Sequence, residues 1–273
     1  MPTTDTHARV LRTAALALAG TLAGHAHAQS LFGVTFEGEL VRVDAATGNV
    51  ESIGDTGVDR LAGLSRAADG TLYAYDAPAP GAAAALYTID AATGAATTIG
   101  TLGVGFEFEG GLVVADAQTA FAIGGRDTDA GAGLFRIDLA TGAATELGSL
   151  GTPDINGLTL RSDGSLVAWT QLGGQLLAIE PDTVAVTPIA VNSAFNGAFG
   201  GMASANGQTA FVTASGFGST GSIFSVDLFT GEGGGFVSLS DGVQLSGLAI
   251  PAPGAIPLLL GAAALVARRR RNA

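Results

Sequence analysis

The chain returns five times to one pair of residues, a Gly followed by Leu or Met: Gly63-Leu64, Gly111-Leu112, Gly157-Leu158, Gly201-Met202 and Gly247-Leu248. The steps between them are 48, 46, 44 and 46 residues. A second marker keeps the same rhythm. Asp-x-x-Thr-Gly ends an apolar run at Asp44, Asp90, Asp138 and Asp227, and a degenerate copy stands at Glu180 with Thr183 and Val184. This period belongs to propeller blades rather than to helical solenoids, and a unit of that size cannot bury its own apolar faces. Like units must therefore pack against one another.

Each copy divides into four short strands. In the copy containing Gly63 the pattern predicts strands over 61–66, 71–75, 85–90 and 95–100, with Leu86, Thr88 and Asp90 alternating with Tyr87 and Ile89. Asp69-Gly70, Asp163-Gly164 and Asn206-Gly207 fall between first and second strands, where tight hairpins need left-handed residues. In Asp-x-x-Thr-Gly the carboxylate can cap the turn while Gly takes positive φ, so the repeated Asp is expected to build turns, not to do chemistry. The Gly-Leu strand should be innermost, because a missing side chain permits close approach at the axis.

The two ends complete one another. Residues 31–36 read as the second strand of a blade, and residues 245–250 as a lone first strand. Joined, they shut the ring and pair its open edges. The expected fold is all-β: a five-bladed β-propeller of four-stranded blades over residues 29–250, with a closing blade built from both chain ends. In spacing the repeats resemble WD40, NHL and PQQ-type propeller repeats. The Trp-Asp and Gly-His signatures of the first are absent, and one Trp (Trp169) cannot supply the docking Trp of every PQQ blade. The resemblance brings no cofactor with it.

Outside this repeat both ends read as addresses. Arg9 and Arg12, the apolar run 13–22 and Ala26-His27-Ala28 match a secretory signal peptide over 1–28, implying signal peptidase as a partner. After Ile250 come Pro251-Ala252-Pro253, an apolar stretch over 255–267 and four consecutive Arg, Arg268, Arg269, Arg270 and Arg271. Such a stretch is at the lower limit for a membrane-spanning helix, and the Arg cluster would stop it at the cytoplasmic side. The Pro-x-Pro motif, short hydrophobic helix and terminal Arg cluster resemble the PEP-CTERM sorting signal of Gram-negative bacteria, with Ala252 where that family has Glu. The resemblance implies a sorting or processing enzyme of exosortase type and an envelope or cell-surface location. A plain C-terminal tail anchor is the simpler alternative.

The 12 basic residues are all Arg, Cys and Lys are absent, and His7, His25 and His27 all precede residue 28. The mature chain then has no Ser-His-Asp or Cys-His nucleophile, no Lys Schiff base, no His or Cys metal ligand and no disulfide. Residues 29–250 hold 23 acidic residues against six Arg, a net charge of −17, which repels nucleic acid.

Asp127-Thr-Asp129-Ala-Gly131 resembles the opening of a calcium loop, but Ala132 stands where the turn Gly belongs and Asp138 where the last Glu should be. A solvated loop is the expectation there. Glu107 and Glu109 could pair as glycosidase carboxylates, a reading that needs a separation sequence does not reveal. Strand direction puts the interblade loops on the face of the long second-to-third loops, and these carry Asp59, Glu107, Glu109, Asp154, Asn196 and Asp241 just ahead of inner strands. They are the candidate ligand or cation site, an acidic mouth for calcium or a neutral sugar, weighed against a merely solvated rim. Both chain ends are expected on the opposite, tight-turn face. The expected function is an exported, envelope-tethered, non-enzymatic binding or matrix module; the alternative is a carboxylate-based glycoside hydrolase acting on extracellular polysaccharide.

Overall fold

The computed structural model describes residues 30–79, 81–106, 110–125, 131–152, 155–171, 173–191, 200–215 and 221–251. The expected signal peptide and, apart from Pro251, the expected sorting tail lie outside the described residues. So do Glu107, Glu109, Asp127, Asp129, Asp154 and Asn196.

Among the described residues, five four-stranded antiparallel sheets form the blades. The first combines β1 (Ser30–Thr35), β2 (Glu39–Asp44) and β3 (Val50–Asp55) with β20 (Leu245–Ala249) from the other end of the chain. The second holds β4 (Leu61–Arg66), β5 (Leu72–Asp76), β6 (Ala85–Ile89) and β7 (Ala96–Thr101). The third holds β8 (Gly111–Val114), β9 (Thr119–Gly124), β10 (Gly133–Asp138) and β11 (Ala144–Ser149). The fourth holds β12 (Ile155–Leu160), β13 (Leu166–Thr170), β14 (Gln175–Glu180) and β15 (Ala185–Val191). The fifth holds β16 (Met202–Ser204), β17 (Thr209–Ala214), β18 (Ser222–Asp227) and β19 (Gly233–Ser238). Successive inner strands β20, β4, β8, β12 and β16 touch one another, and β16 returns to β20, so the ring is closed. The closing pair runs Phe32 opposite Ala249, Gly33 opposite Leu248 and Val34 opposite Gly247. The five-bladed propeller with a split closing blade is thus present.

The core lies between blades. Five apolar clusters form, each drawn from two neighbouring sheets and together running from Leu31 to Ile250. Every strand among the described residues lies between Ser30 and Ala249. Strand alternation explains this arrangement: Leu72 and Ala74 of β5 join the cluster with the first blade, whereas Tyr73 and Tyr75 join the cluster with the third. In β13, Leu166 and Ala168 face one neighbour and Val167 and Trp169 the other. Both faces of each middle strand are covered, and each buried large aliphatic contributes roughly 1.5–3 kcal/mol.

Two rings of close approach lock the blades. At the axis, a Cβ on Gly247 would lie 2.8 Å from that of Leu64, and one on Gly111 would lie 2.5 Å from that of Leu158. At the rim, the Asp-x-x-Thr-Gly turn of one blade seats on the outer strand of the blade before it. The Thr93 carbonyl oxygen stands 2.2 Å from where Gly54 would carry a Cβ, and that of Thr141 stands 2.1 Å from the same point on Gly100. The amides of Ala96 and Ala144 donate across the same joints to the carbonyls of Thr56 and Leu102.

The turn chemistry follows from the motif. Asp90 Oδ1 accepts from the amides of Ala92 and Thr93 at 2.9 and 2.8 Å, and the Gly94 amide closes onto the Asp90 carbonyl. Asp44, Asp138 and Asp227 repeat the pattern. In the degenerate copy Val184 takes the Gly position at φ 57°. The hairpins between first and second strands differ from the expected tight turns. At Asp69-Gly70 only Gly is left-handed (φ 103°), the Gly70 amide donates to the Ala67 carbonyl and the Ala67 amide to that of Thr71. That is a right-handed turn followed by a left-handed Gly bulge, in which the Asp69 carboxylate accepts the Thr71 amide.

Candidate functional site

The inner strands place every second side chain toward the axis. One step after each marker Gly comes a tight aliphatic floor of Leu64, Leu112, Leu158, Met202 and Leu248, all nearly inaccessible. At the level of these residues and the glycines beside them the channel leaves no space for a water molecule. Two residues further on, Arg66, Val114, Leu160, Ser204 and Ile250 are only half-buried, because the blades splay apart toward their first-to-second turns. The result is a half-open cavity of about 840 Å³ on the tight-turn face, with walls from all five blades.

The polar groups of this cavity are mostly engaged in their own turns. Ser65 Oγ accepts the Val114 amide across the blade joint at 2.9 Å. Asp116 accepts the amides of Gln118 and Thr119, and Asn206 those of Gln208 and Thr209. Arg161 Nε donates to Asp163 at 3.0 Å, and its guanidinium lies 4.5 Å from the centre of the Phe229 ring. The Arg161 hydrogen bond holds the Asp163 carboxyl far below the usual range. Asp69 is also lowered, first by the Thr71 amide and then by the Thr71 hydroxyl, with a smaller contribution from Arg66. Tyr73, in the cavity wall, has its phenol pushed up by burial and then by the charge of Asp69.

The acidic mouth expected on the other face is represented by two residues. Asp59, in the loop between β3 and β4, and Asp241, in the short 3-10 turn Ser240–Gly242, are exposed. Glu107, Glu109, Asp154 and Asn196 lie outside the described residues, and no cluster of three or more metal-ligating side chains occurs among those described. Asp138 is a turn former, as its spacing predicted. Of the residues expected to form a sorting signal, Pro251 sits half-buried in the cavity wall beside Ile250, while Pro253, Arg268, Arg269, Arg270 and Arg271 lie outside the described residues. Ser30 and Pro251 both stand on the tight-turn face, where the chain ends were expected. Among the described residues no helix is long and apolar enough to cross a membrane.

The cavity residues were missed from sequence, yet a signal existed. They stand two positions after the Leu or Met of each marker pair, the spacing that returns a strand residue to the same face.

A chain in the crystal structure of the nidogen/laminin complex is similar in fold, with a TM-score of 0.55 at 13% identity, over 82% of this chain and 98% of that one. TolB from Acinetobacter baumannii gives a TM-score of 0.49 at 16% identity over 81% of this chain, which spans about half (54%) of the TolB chain. At 13% identity the likeness to the nidogen/laminin chain is one of β-propeller fold. No protein-family model and no curated protein matches the sequence.

Proposed function

We propose that this chain is an exported, envelope-tethered, non-enzymatic binding module of a Gram-negative bacterium. The observation that carries the reading is the cavity of about 840 Å³ walled by all five blades, within the size range of small-molecule sites. A rigid closed ring suits recognition. A chain without His, Cys or Lys beyond residue 27 suits recognition better than covalent catalysis. Export rests on the signal peptide over 1–28, and the tether on the Pro-x-Pro, apolar and Arg segments after Ile250, handled by an exosortase-type enzyme. Because Ile250 and Pro251 lie in the cavity wall, such a tether holds the cavity face toward the membrane and turns Asp59 and Asp241 outward.

Two measurements test this reading. In cell fractionation, the full chain should partition with the envelope and a chain ending at Pro251 should be released. Purified residues 29–251 should bind ligands on a glycan and amphiphile panel without turning any of them over. Retention of the truncated chain in the membrane would overturn the tether, and hydrolysis of a polysaccharide would overturn the binding role.

A further inference from the structure

The cavity joins an aliphatic floor to a cation, Arg66, that forms no direct ion pair among the described residues. Leu112, Leu158, Met202 and Leu248 line its base, and Val114, Leu160 and Ile250 its wall. At the rim, Arg161 is already paired with Asp163. The Asp69 and Asp116 carboxylates are committed to turn amides. Arg66 is different. Its Nε donates to the Gly70 carbonyl at 3.0 Å, which fixes the guanidinium over its own turn, and the residue lines the cavity. No carboxylate among the described residues forms an ion pair with it. Within an ectodomain of net charge −17, a half-buried, preoriented Arg above an apolar floor is complementary to one kind of molecule.

We infer that the tight-turn cavity binds a single-chain amphiphile with an anionic head, its carboxylate on Arg66 and its aliphatic chain on the Leu and Met floor. The inference rests on the cavity being the binding site proposed above. Aliphatic burial supplies the affinity and Arg66 the choice of head group, since a guanidinium held at Nε offers its remaining N–H groups in a fixed fork. The phenol of Tyr73 lies in the same wall and stays neutral at physiological pH, so it adds no repelling charge.

The test is calorimetry on residues 29–251 with monomeric dodecanoate, dodecanol and dodecyltrimethylammonium, and with decanoate and octanoate as shorter probes. Dodecanoate should bind at one per chain and more tightly than the other two heads, with up to roughly fourfold gain per added methylene. Arg66→Gln should weaken dodecanoate at least about tenfold and leave dodecanol unchanged. Ala115→Trp, at the rim, should block both while melting like the parent protein. Equal affinity for all three heads, or no effect of Arg66→Gln, would overturn the assignment of the head group and leave the cavity as a binding site. Absence of binding by every amphiphile would overturn both. Binding to anionic phospholipid vesicles without binding of monomeric dodecanoate would assign the face to a membrane surface instead and overturn the inference.

Discussion

Gly157 and Trp169 compete for the same volume: a Cβ built on Gly157 would lie 1.9 Å from Cζ3 of Trp169. Gly111, Gly201 and Gly247 approach the inner strand of the following blade, and Gly63 meets both Tyr75 of its own sheet and Leu112 of the next, whereas Gly157, at φ 58°, makes room for an indole of its own sheet alone. Trp169 is fully buried in the cluster between the fourth and fifth blades. Gly157→Ala should therefore destabilise the fold by about 3 kcal/mol, combining a left-handed penalty with overpacking. Gly164→Ala, left-handed but with open space around it, should cost only about 1 kcal/mol. Urea unfolding followed by the fluorescence of the single Trp measures both, and equal losses would refute a role for the indole.

Val184 stands where the other four rim turns have Gly, in a left-handed conformation that strains a β-branched residue. Its side chain stands 3.4 Å from where Gly148 would carry a Cβ and packs at the edge of the cluster between the third and fourth blades. Val184→Gly is expected to stabilise the protein by about 1 kcal/mol, as relief of strain outweighs the lost contact. Gly100→Ala, aimed at the Thr141 carbonyl, should do the reverse. A thermal melt of each variant decides.

Acid should unfold the ring through its turns. The carboxyls of Asp90, Asp138 and Asp227 lie below the ordinary 3.8, for Asp90 and Asp227 chiefly through backbone amides and for Asp138 chiefly through the Thr141 hydroxyl. A folded pKa below the unfolded one means that the native state binds fewer protons. Their stabilisation is then complete above about pH 5 and lost as pH falls through 3.8 and below. The urea midpoint should be flat at neutral pH and drop in that window. Asp90→Asn, which keeps the accepting oxygen, should make the drop shallower.

The alkaline limb has the opposite sign. Burial, the charge of Asp76 and a hydrogen bond to it push the Tyr87 phenol up to about 12. A raised folded pKa gives stability that is present below pH 10 and lost as pH climbs toward 12. Tyr87→Phe should remove that part of the alkaline decline, read by circular dichroism.

Ring closure depends on β20, whose five residues are all buried and which pairs with β1. A chain ending at Gly242 leaves the inner edge of the first blade open and should aggregate or lose its cooperative melt. A chain ending at Pro251 should keep both a monomeric elution volume and the parent transition.

The period, the blade count, the closing blade and the turn role of the Asp residues were all legible in the sequence. Predicted strands such as 61–66 and 85–90 coincide with Leu61–Arg66 and Ala85–Ile89 to within a residue. These features are local: alternation and turn residues act over a few positions, and a repeat copies them faithfully. Only the tertiary structure decided the rest. That Gly94 clasps Gly54, that Gly157 yields to Trp169, and that the channel closes at the Gly-Leu ring and opens beside Arg66 depend on residues dozens of positions apart. Their meeting is set by the radius and twist at which five sheets close on one another, and no short stretch of chain encodes that quantity.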